Sequence, residues 1–123
     1  MIHRIRHRAV KHARSFGYAF EGISWALRTQ PNYQIHVFLA VLSLVAGYVL
    51  GISYAEFLFI LAMIFIGLAI ETVNTAIEQL ADAIDKNYNK HIKIAKDVAA
   101  GAMLFFSIGA AITAGIIFLP KLF

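Results

Sequence analysis

Residues 98–119 read VAAGAMLFFSIGAAITAGIIFL, a stretch without Asp, Glu, Lys or Arg. A helix needs about 20 apolar residues to cross a bilayer core of roughly 30 Å, and this stretch supplies them. A second uncharged run separates Arg28 from Glu56, and a shorter one covers residues 57–70. The shorter run can cross a bilayer only if its helix continues through Glu71. The pattern therefore predicts an all-α membrane protein with three transmembrane helices, at about residues 35–52, 56–82 and 97–119.

The composition of the whole chain agrees with this class. The 123 residues are 60% hydrophobic and 15% charged, with a mean hydropathy of +0.71, whereas soluble domains carry roughly 25% charged residues. A chain of this length is expected to form one domain, residues 1–123, with too little interior to hide so much apolar surface. The absence of cysteine excludes disulfides, zinc–thiolate sites and a cysteine nucleophile.

The distribution of lysine and arginine predicts the orientation of the spans. Basic residues are concentrated in residues 1–34 and in residues 83–97. The link at residues 53–56 carries none, and the C-terminus carries only Lys121. We therefore expect the N-terminus and the 83–97 loop in the cytoplasm, and the C-terminus outside.

Residues 1–29 form a segment of their own, which ends at the break around Pro31. Apolar residues recur in it at helical spacing, and most basic residues fall off that stripe, which is typical of an amphipathic helix lying in the cytoplasmic membrane interface. An Arg-rich, acid-poor start also resembles a transit peptide. Nucleic-acid binding is disfavoured, because the rest of the chain must sit in lipid. The apolar stripe consists of Ile2, Ile5, Ala9, Phe16, Phe20, Ile23 and Leu27.

The second span ends in an acidic face that packing does not explain. Four polar side chains recur there at spacings of 3, 4 and 4, which puts them on one side of a helix. Charges within a membrane segment are functional by default. Mg²⁺ takes one or two carboxylates plus phosphate oxygens, so this face suits a metal ion that holds a phosphorylated ligand. The alternative is a solvated helix end whose acids pair with Lys86, Lys90 or Lys93. The acidic face consists of Glu71, Asn74, Glu78 and Asp82.

The start of the third span adds Lys96 and Asp97, a cation for phosphate beside another acid. Neither a G-x-x-x-x-G-K-[ST] nor a G-x-G-x-x-G motif occurs in the chain. A nucleotide site here is therefore not a P-loop, a dinucleotide-binding crevice or a protein-kinase glycine loop.

These residues resemble the signature of a known family. Residues 71–82, ETVNTAIEQLAD, are preceded by Gly17-Tyr18 and followed by Ala95-Lys96-Asp97, which is similar to the small bacterial diacylglycerol kinase and undecaprenol kinase family. The resemblance covers nearly the whole chain, including the three spans. It implies a homotrimeric lipid kinase of the bacterial cell membrane that uses ATP and Mg²⁺. Each active site would be shared between neighbouring subunits at the cytoplasmic interface.

The resemblance also implies roles for individual residues. Glu71 would be the general base that takes the proton from the lipid hydroxyl, and Glu78 would hold the metal ion on the ATP phosphates. Phosphoryl transfer asks mainly for positioning and charge neutralisation, which agrees with such a cluster. The nucleotide-binding positions would be Arg14, Tyr18, Asn74, Glu78, Asp82, Lys96 and Asp97.

Three positions depart from the family pattern. Gln30 stands where the family usually places a second metal-binding glutamate, and as a candidate metal ligand it can lend a carbonyl oxygen to Mg²⁺ but brings no charge. Gln34 stands where an arginine is common. His36 replaces an acid of the diacylglycerol kinases, and Ile35-His36 looks more like the undecaprenol kinases of Gram-positive bacteria, which favours a polyprenol substrate. The alternative for His36 is an interfacial histidine without a chemical role.

Two other functions stay open at this point. A catalytically silent family member that acts as a membrane scaffold or lipid-binding subunit is favoured by Gln30 and disfavoured by the intact acidic face. A small ion or proton conductor along the Glu71 side of the helix would need no nucleotide. That function leaves Lys96-Asp97 and the basic N-terminal helix without a purpose, so the lipid kinase is the leading interpretation.

Overall fold

The computed structural model describes residues 1–123, apart from the side chains of Ile2, His3 and Ala9. Four helices follow one another, and the last three are long and apolar enough to cross a membrane. The predicted all-α fold with three candidate membrane spans is therefore confirmed. The helices are α1 (Ile2–Thr29), α2 (Pro31–Leu50), α3 (Tyr54–Ile84) and α4 (Lys90–Leu122).

A single residue, Gln30, separates α1 from α2. Its backbone is extended, with φ −106° and ψ 109°, because a residue that precedes proline avoids the helical region. Pro31 then opens α2 at a position where its missing N–H costs no helical hydrogen bond. The side chain of Gln34 donates a 3.0 Å hydrogen bond to the carbonyl oxygen of Leu27. This hydrogen bond connects α2 to α1 next to the break at Gln30.

The predicted apolar stripe of α1 is uncovered, as is most of that helix. The described members of that stripe are all exposed, with Phe16 and Phe20 at 68% and 70%, so the rest of the chain does not cover them. Ile2 and Ala9 also belong to the predicted stripe, but they lie outside the described side chains. A position of α1 in the membrane interface stays a prediction.

Two local signals shape the link between α2 and α3. Gly51 adopts the left-handed conformation (φ 63°), which glycine does without a Cβ penalty. This ends α2 at Leu50, whereas the sequence placed the end of the span at residue 52. Ser53 then begins α3 with a capping box, since its hydroxyl accepts from the Glu56 N–H (3.2 Å) and the Glu56 carboxylate accepts from the Ser53 N–H (2.7 Å).

At the other end, both helices extend past the predicted spans. α3 continues to Ile84, and α4 begins at Lys90 rather than at residue 97. The side chain of Asn89 accepts from the backbone N–H groups of His91 and Ile92, which satisfies two donors that an α-helix leaves without partners. The predicted 83–97 loop is therefore shorter, and Lys96 lies on continuous helix.

α3 is the central helix and packs along α4 and α2, while α1 also contacts α2 and α3. The buried core is small, and large apolar side chains such as Phe105 (83% exposed) and Ile116 (70% exposed) face outward. Surfaces of this kind are covered by lipid or by other chains rather than by water. The buried apolar side chains are Ala26, Tyr33, Ile60, Ala81, Met103 and Ile117.

Candidate functional site

The acidic face of α3 opens onto a cavity of about 270 Å³ between α2, α3 and α4. We call it the acidic cavity. α3 contributes three of the four residues of its acidic face, and α2 and α4 supply the opposite walls. The cavity is lined by Asn32, Ile35, His36, Glu71, Asn74, Glu78, Ala100 and Met103.

The polar groups of the acidic cavity are deeply placed. Glu71 and Asn74 are only 3% and 5% exposed, although carboxylates and amides are mostly found at protein surfaces. The amide nitrogen of Asn74 lies 3.4 Å from Oε1 of Glu78, which is long for an N–H···O hydrogen bond. Nε2 of His36 lies 3.9 Å from Oε2 of Glu71. About two turns of α3 thus present Glu71, Asn74 and Glu78 to one small volume.

Below the acidic cavity, α3 and α4 are joined by an ion pair. Nζ of Lys96 lies 3.0 Å from Oδ1 of Asp82, so the partner of Asp82 is Lys96 and not Lys86, Lys90 or Lys93. Both side chains are partly exposed, so the paired ammonium remains accessible to a ligand. The pair therefore places a cation beside the acidic cavity.

The donor atoms around this cavity fit Mg²⁺. Oδ1 of Asn74 is buried and has no hydrogen-bond partner among the described residues, and buried polar atoms of this kind call for a ligand, an ion or water. The Nδ2 atom of the same amide lies beside the Glu78 carboxylate, so Asn74 and Glu78 are neighbours that each carry a hard oxygen donor. No three described histidine or acidic side chains cluster as a complete metal site.

Four of the residues assigned from the sequence lie away from the acidic cavity of their own chain. Arg14 and Tyr18 are exposed on α1, and neither side chain bonds to another described residue. Asp97 pairs with Lys93, one turn away on α4. The Gln30 amide donates to the hydroxyl of Thr29 at the α1–α2 corner. A single chain therefore brings together Glu71, Asn74 and Glu78, with Asp82 and Lys96 alongside.

Residues of α2 that line the acidic cavity were not predicted from the sequence. Asn32 and His36 are four residues apart and both line it, as does Met103 of α4. The spacing of Asn32 and His36 is a usable signal, because two polar residues on one side of an apolar helix near its end point to a polar neighbour. Only the packing of α2 on α3 identifies that neighbour as Glu71.

Comparison with known proteins gives a consistent result. The sequence model of the family described as prokaryotic diacylglycerol kinase matches residues 17–118. A diacylglycerol kinase of Synechocystis sp. is 37% identical over 109 residues, which cover 88% of this chain and 62% of the relative. An undecaprenol kinase of Bacillus subtilis is 38% identical over 109 residues, which cover 89% of each chain.

The matched regions include most, but not all, of the residues assigned to the site. This chain spans less than two thirds of the Synechocystis relative but most of the Bacillus subtilis one. The family match includes the whole acidic cavity and Tyr18, whereas Arg14 precedes it.

Proposed function

The chain belongs to the prokaryotic diacylglycerol kinase family, and on that premise we propose that it transfers the γ-phosphate of ATP to the hydroxyl group of a membrane lipid. The observation that carries the proposal is the meeting of Glu71, Asn74 and Glu78 at one cavity within a candidate membrane span. Lys96 supplies the neighbouring positive charge for phosphate. A lipid kinase needs a polar site near the membrane interface, because the hydroxyl group of its lipid substrate comes from the membrane and its nucleotide comes from water.

Glu71 acts as the general base in this proposal. Its carboxylate takes the proton from the lipid hydroxyl as the oxygen attacks the γ-phosphorus, and the bond between that phosphorus and the leaving ADP breaks. Glu78 and Asn74 would hold Mg²⁺, which neutralises charge on the phosphates when bound. Lys96 contacts phosphate oxygens as a point charge. The remaining nucleotide contacts assigned by resemblance are Asp82, Asp97, Tyr18 and Arg14.

The proposed lipid is a polyprenol such as undecaprenol, with diacylglycerol as the competing substrate. Ile35-His36 favours the polyprenol by resemblance. The Bacillus subtilis undecaprenol kinase is 38% identical to this chain and the Synechocystis diacylglycerol kinase is 37% identical, so sequence identity does not choose between the two lipids. The hydroxyl group is carried by a prenyl chain in one lipid and by a glycerol backbone in the other. An assay with each lipid therefore shows which of the two is the substrate.

The decisive experiment uses the full chain in lipid, with labelled ATP and Mg²⁺. Undecaprenol and diacylglycerol are supplied in parallel, and Glu71→Gln is the matched control because it keeps the size of the side chain but cannot accept a proton. We expect phosphate on the polyprenol, and a loss of about 100-fold or more in Glu71→Gln, with ATP still bound. Normal turnover by Glu71→Gln would remove Glu71 as the base.

The metal assignment has its own test. Glu78→Ala should raise the Mg²⁺ concentration that supports half-maximal activity, since it removes a charged ligand. Glu56→Ala is the control, because Glu56 lies at the opposite end of α3. An unchanged Mg²⁺ requirement in Glu78→Ala would count against Glu78 as a ligand.

We also propose that the acidic cavity and the N-terminus face the cytoplasm. The cysteine-free chain allows single cysteines to be introduced and labelled in intact cells with a membrane-impermeant maleimide. We expect Tyr54→Cys to be labelled from outside and Lys86→Cys to be labelled only after lysis. The reverse pattern would invert the topology.

A catalytically silent member is the second candidate, and the neutral Gln30 is the observation that favours it. Such a protein would bind ATP without transferring phosphate to either lipid. Gln30→Glu should then restore transfer, which a protein that is already an active kinase does not require.

A further inference from the structure

His36 occupies an unusual position between two cavities. It lines the acidic cavity, and it also lines a second cavity of about 340 Å³ that extends along α2, α3 and α4. We call the second one the apolar cavity, because its walls are mostly aliphatic and aromatic, for example Leu39, Met63 and Phe106. His36 is the one residue common to the described linings of both.

Glu71 faces His36 across the acidic cavity. Oε2 of Glu71 lies 3.9 Å from Nε2 of His36, and the two side chains are 4% and 21% exposed. Within the described part of the chain, His36 is the only basic group within 4 Å of that carboxylate. A carboxylate in so little water needs a partner. The separation is longer than a direct hydrogen bond. A small rotation of the His36 ring would bring the two atoms within hydrogen-bond distance, or one water would bridge them.

An aromatic side chain, Phe106, lies beside the His36 ring. The ring centroids of His36 and Phe106 are 6.4 Å apart at a tilt of 58°. Phe106 lies directly on Gly67, where a Cβ atom would come within 2.4 Å of its ring. Gly67 therefore allows Phe106 to sit close to α3, and Phe106 forms one wall against which His36 is placed.

We propose that His36 is a positioning residue that orients the Glu71 carboxylate toward the lipid hydroxyl. A ring nitrogen donates to Oε2 of Glu71, directly or through one water, so that the other carboxylate oxygen faces the reacting group. The proposal rests on the proposed function, in which Glu71 is the base. In this role His36 acts through Glu71 and not on the phosphates, so its loss should lower kcat and leave the KM for ATP unchanged.

Two substitutions separate this role from simple packing. His36→Gln keeps an N–H donor near the position of Nε2, whereas His36→Leu fills the space with apolar atoms. We expect kcat of His36→Leu to fall about tenfold or more, because a displacement of roughly 1 Å at a reacting group can cost about 100-fold. His36→Gln should retain most of the wild-type kcat. A packing role predicts the opposite order, since leucine suits a site beside Phe106 and the apolar cavity. His91→Gln, an exposed histidine at the start of α4, is the control.

The contact itself can be tested without any activity. Histidine labelled with ¹⁵N gives ring-nitrogen signals in the full chain, and the signal that His36→Gln removes identifies His36. We expect Glu71→Gln to shift that signal and Glu56→Gln to leave it in place. An unshifted signal in Glu71→Gln overturns the contact.

The two levels of the hypothesis fail in different ways. A wild-type protein that phosphorylates neither lipid overturns the proposed function. An active wild type in which His36→Leu retains at least as much kcat as His36→Gln overturns only the role of His36. A His36→Leu protein whose KM for ATP rises by as large a factor as its kcat falls would also overturn that role, because this pattern indicates damage to the nucleotide site.

Discussion

Lys96 of α4 donates a 3.0 Å hydrogen bond to Asp82 of α3, and this pair joins the two helices just below the acidic cavity. Exposed ion pairs of this kind add little to stability, because water and salt screen them. The pair therefore matters mainly for where it holds the ammonium group. A phosphate that enters the acidic cavity meets a lysine whose position Asp82 has already restricted.

Replacing Lys96 should separate nucleotide binding from stability. We expect Lys96→Met to raise the KM for ATP about tenfold or more, because it removes a charge-assisted contact to phosphate. The midpoint of thermal unfolding in detergent should stay close to that of the wild type. Lys86→Met removes an equivalent charge from the loop and should leave the KM for ATP unchanged. A Lys96→Met protein with a normal KM would exclude a phosphate contact.

Replacement of Asn74 should maintain or raise stability while it impairs activity. Its Oδ1 atom is buried without a described partner, and an unsatisfied buried acceptor costs about 1–3 kcal/mol. Asn74→Leu removes that cost at similar volume, so we expect unfolding at the same or a higher temperature than wild type. Activity should nevertheless require a much higher Mg²⁺ concentration.

The neighbouring Thr75 provides the comparison for this prediction. Thr75 is equally buried but does not line the acidic cavity, so Thr75→Val should keep the normal Mg²⁺ requirement. An Asn74→Leu protein with a wild-type Mg²⁺ profile would mean that Asn74 does not contribute to the metal site.

Gly67 should tolerate no side chain. Its missing Cβ leaves room for the Phe106 ring, which would lie 2.4 Å from an added methyl group. Overpacking of this kind costs about 1–3 kcal/mol, so Gly67→Ala should lower the free energy of unfolding, and Phe106→Leu in the same chain should recover part of it. Gly22→Ala meets no atom within 4 Å and should stabilise α1 by up to about 1 kcal/mol. Equal effects of the two substitutions would contradict this account.

The opposite end of α3 should affect stability without affecting catalysis. The Ser53 hydroxyl accepts from the Glu56 N–H in the capping box, and loss of such a cap costs about 1 kcal/mol. Glu71 follows Glu56 by about four turns of helix, or roughly 22 Å. Ser53→Ala should therefore lower the unfolding temperature while kcat and KM stay normal. A change in kcat at a temperature where the variant is folded would show unexpected coupling between the two ends.

The number and type of helices could be predicted from the sequence because uncharged runs and their charged borders are local properties. Helix ends were less predictable. α2 stops at Leu50 because Gly51 takes a left-handed conformation, and α4 starts at Lys90 because Asn89 caps it. Such caps lie outside the hydropathy pattern on which the span boundaries were based.

The acidic face was predictable for a related reason, since spacings of 3, 4 and 4 fix one side of a helix. Its partners from other helices were not. His36 reaches Glu71, and Lys96 rather than Lys93 reaches Asp82, only because of how α2 and α4 pack on α3. Non-local pairs of this kind depend on helix rotation and register, which a single sequence leaves undetermined.

Tyr18 raises the question of which chain completes the site. It is exposed on α1 and does not line the acidic cavity of its own chain, although the resemblance assigns it to the nucleotide. We therefore expect a site built from α1 of one chain and α3 of another, which a mixing experiment can detect. Tyr18→Ala and Glu71→Gln are each expected to be inactive alone. Random mixing of the two in one oligomer should restore about a quarter of the wild-type activity, because one site in about four receives an intact half from each chain.

The matched control for this mixing mutates two residues of the same cavity. Glu71→Gln and Glu78→Ala both lie on α3, so mixing them leaves every site with a defect whichever chain supplies α1. Activity should then stay near that of the separate variants. If the Tyr18→Ala mixture is equally inactive, each chain holds a complete site and Tyr18 must reach the nucleotide by a movement of α1. Recovery in the first mixture and none in the second would establish that the site is shared between chains.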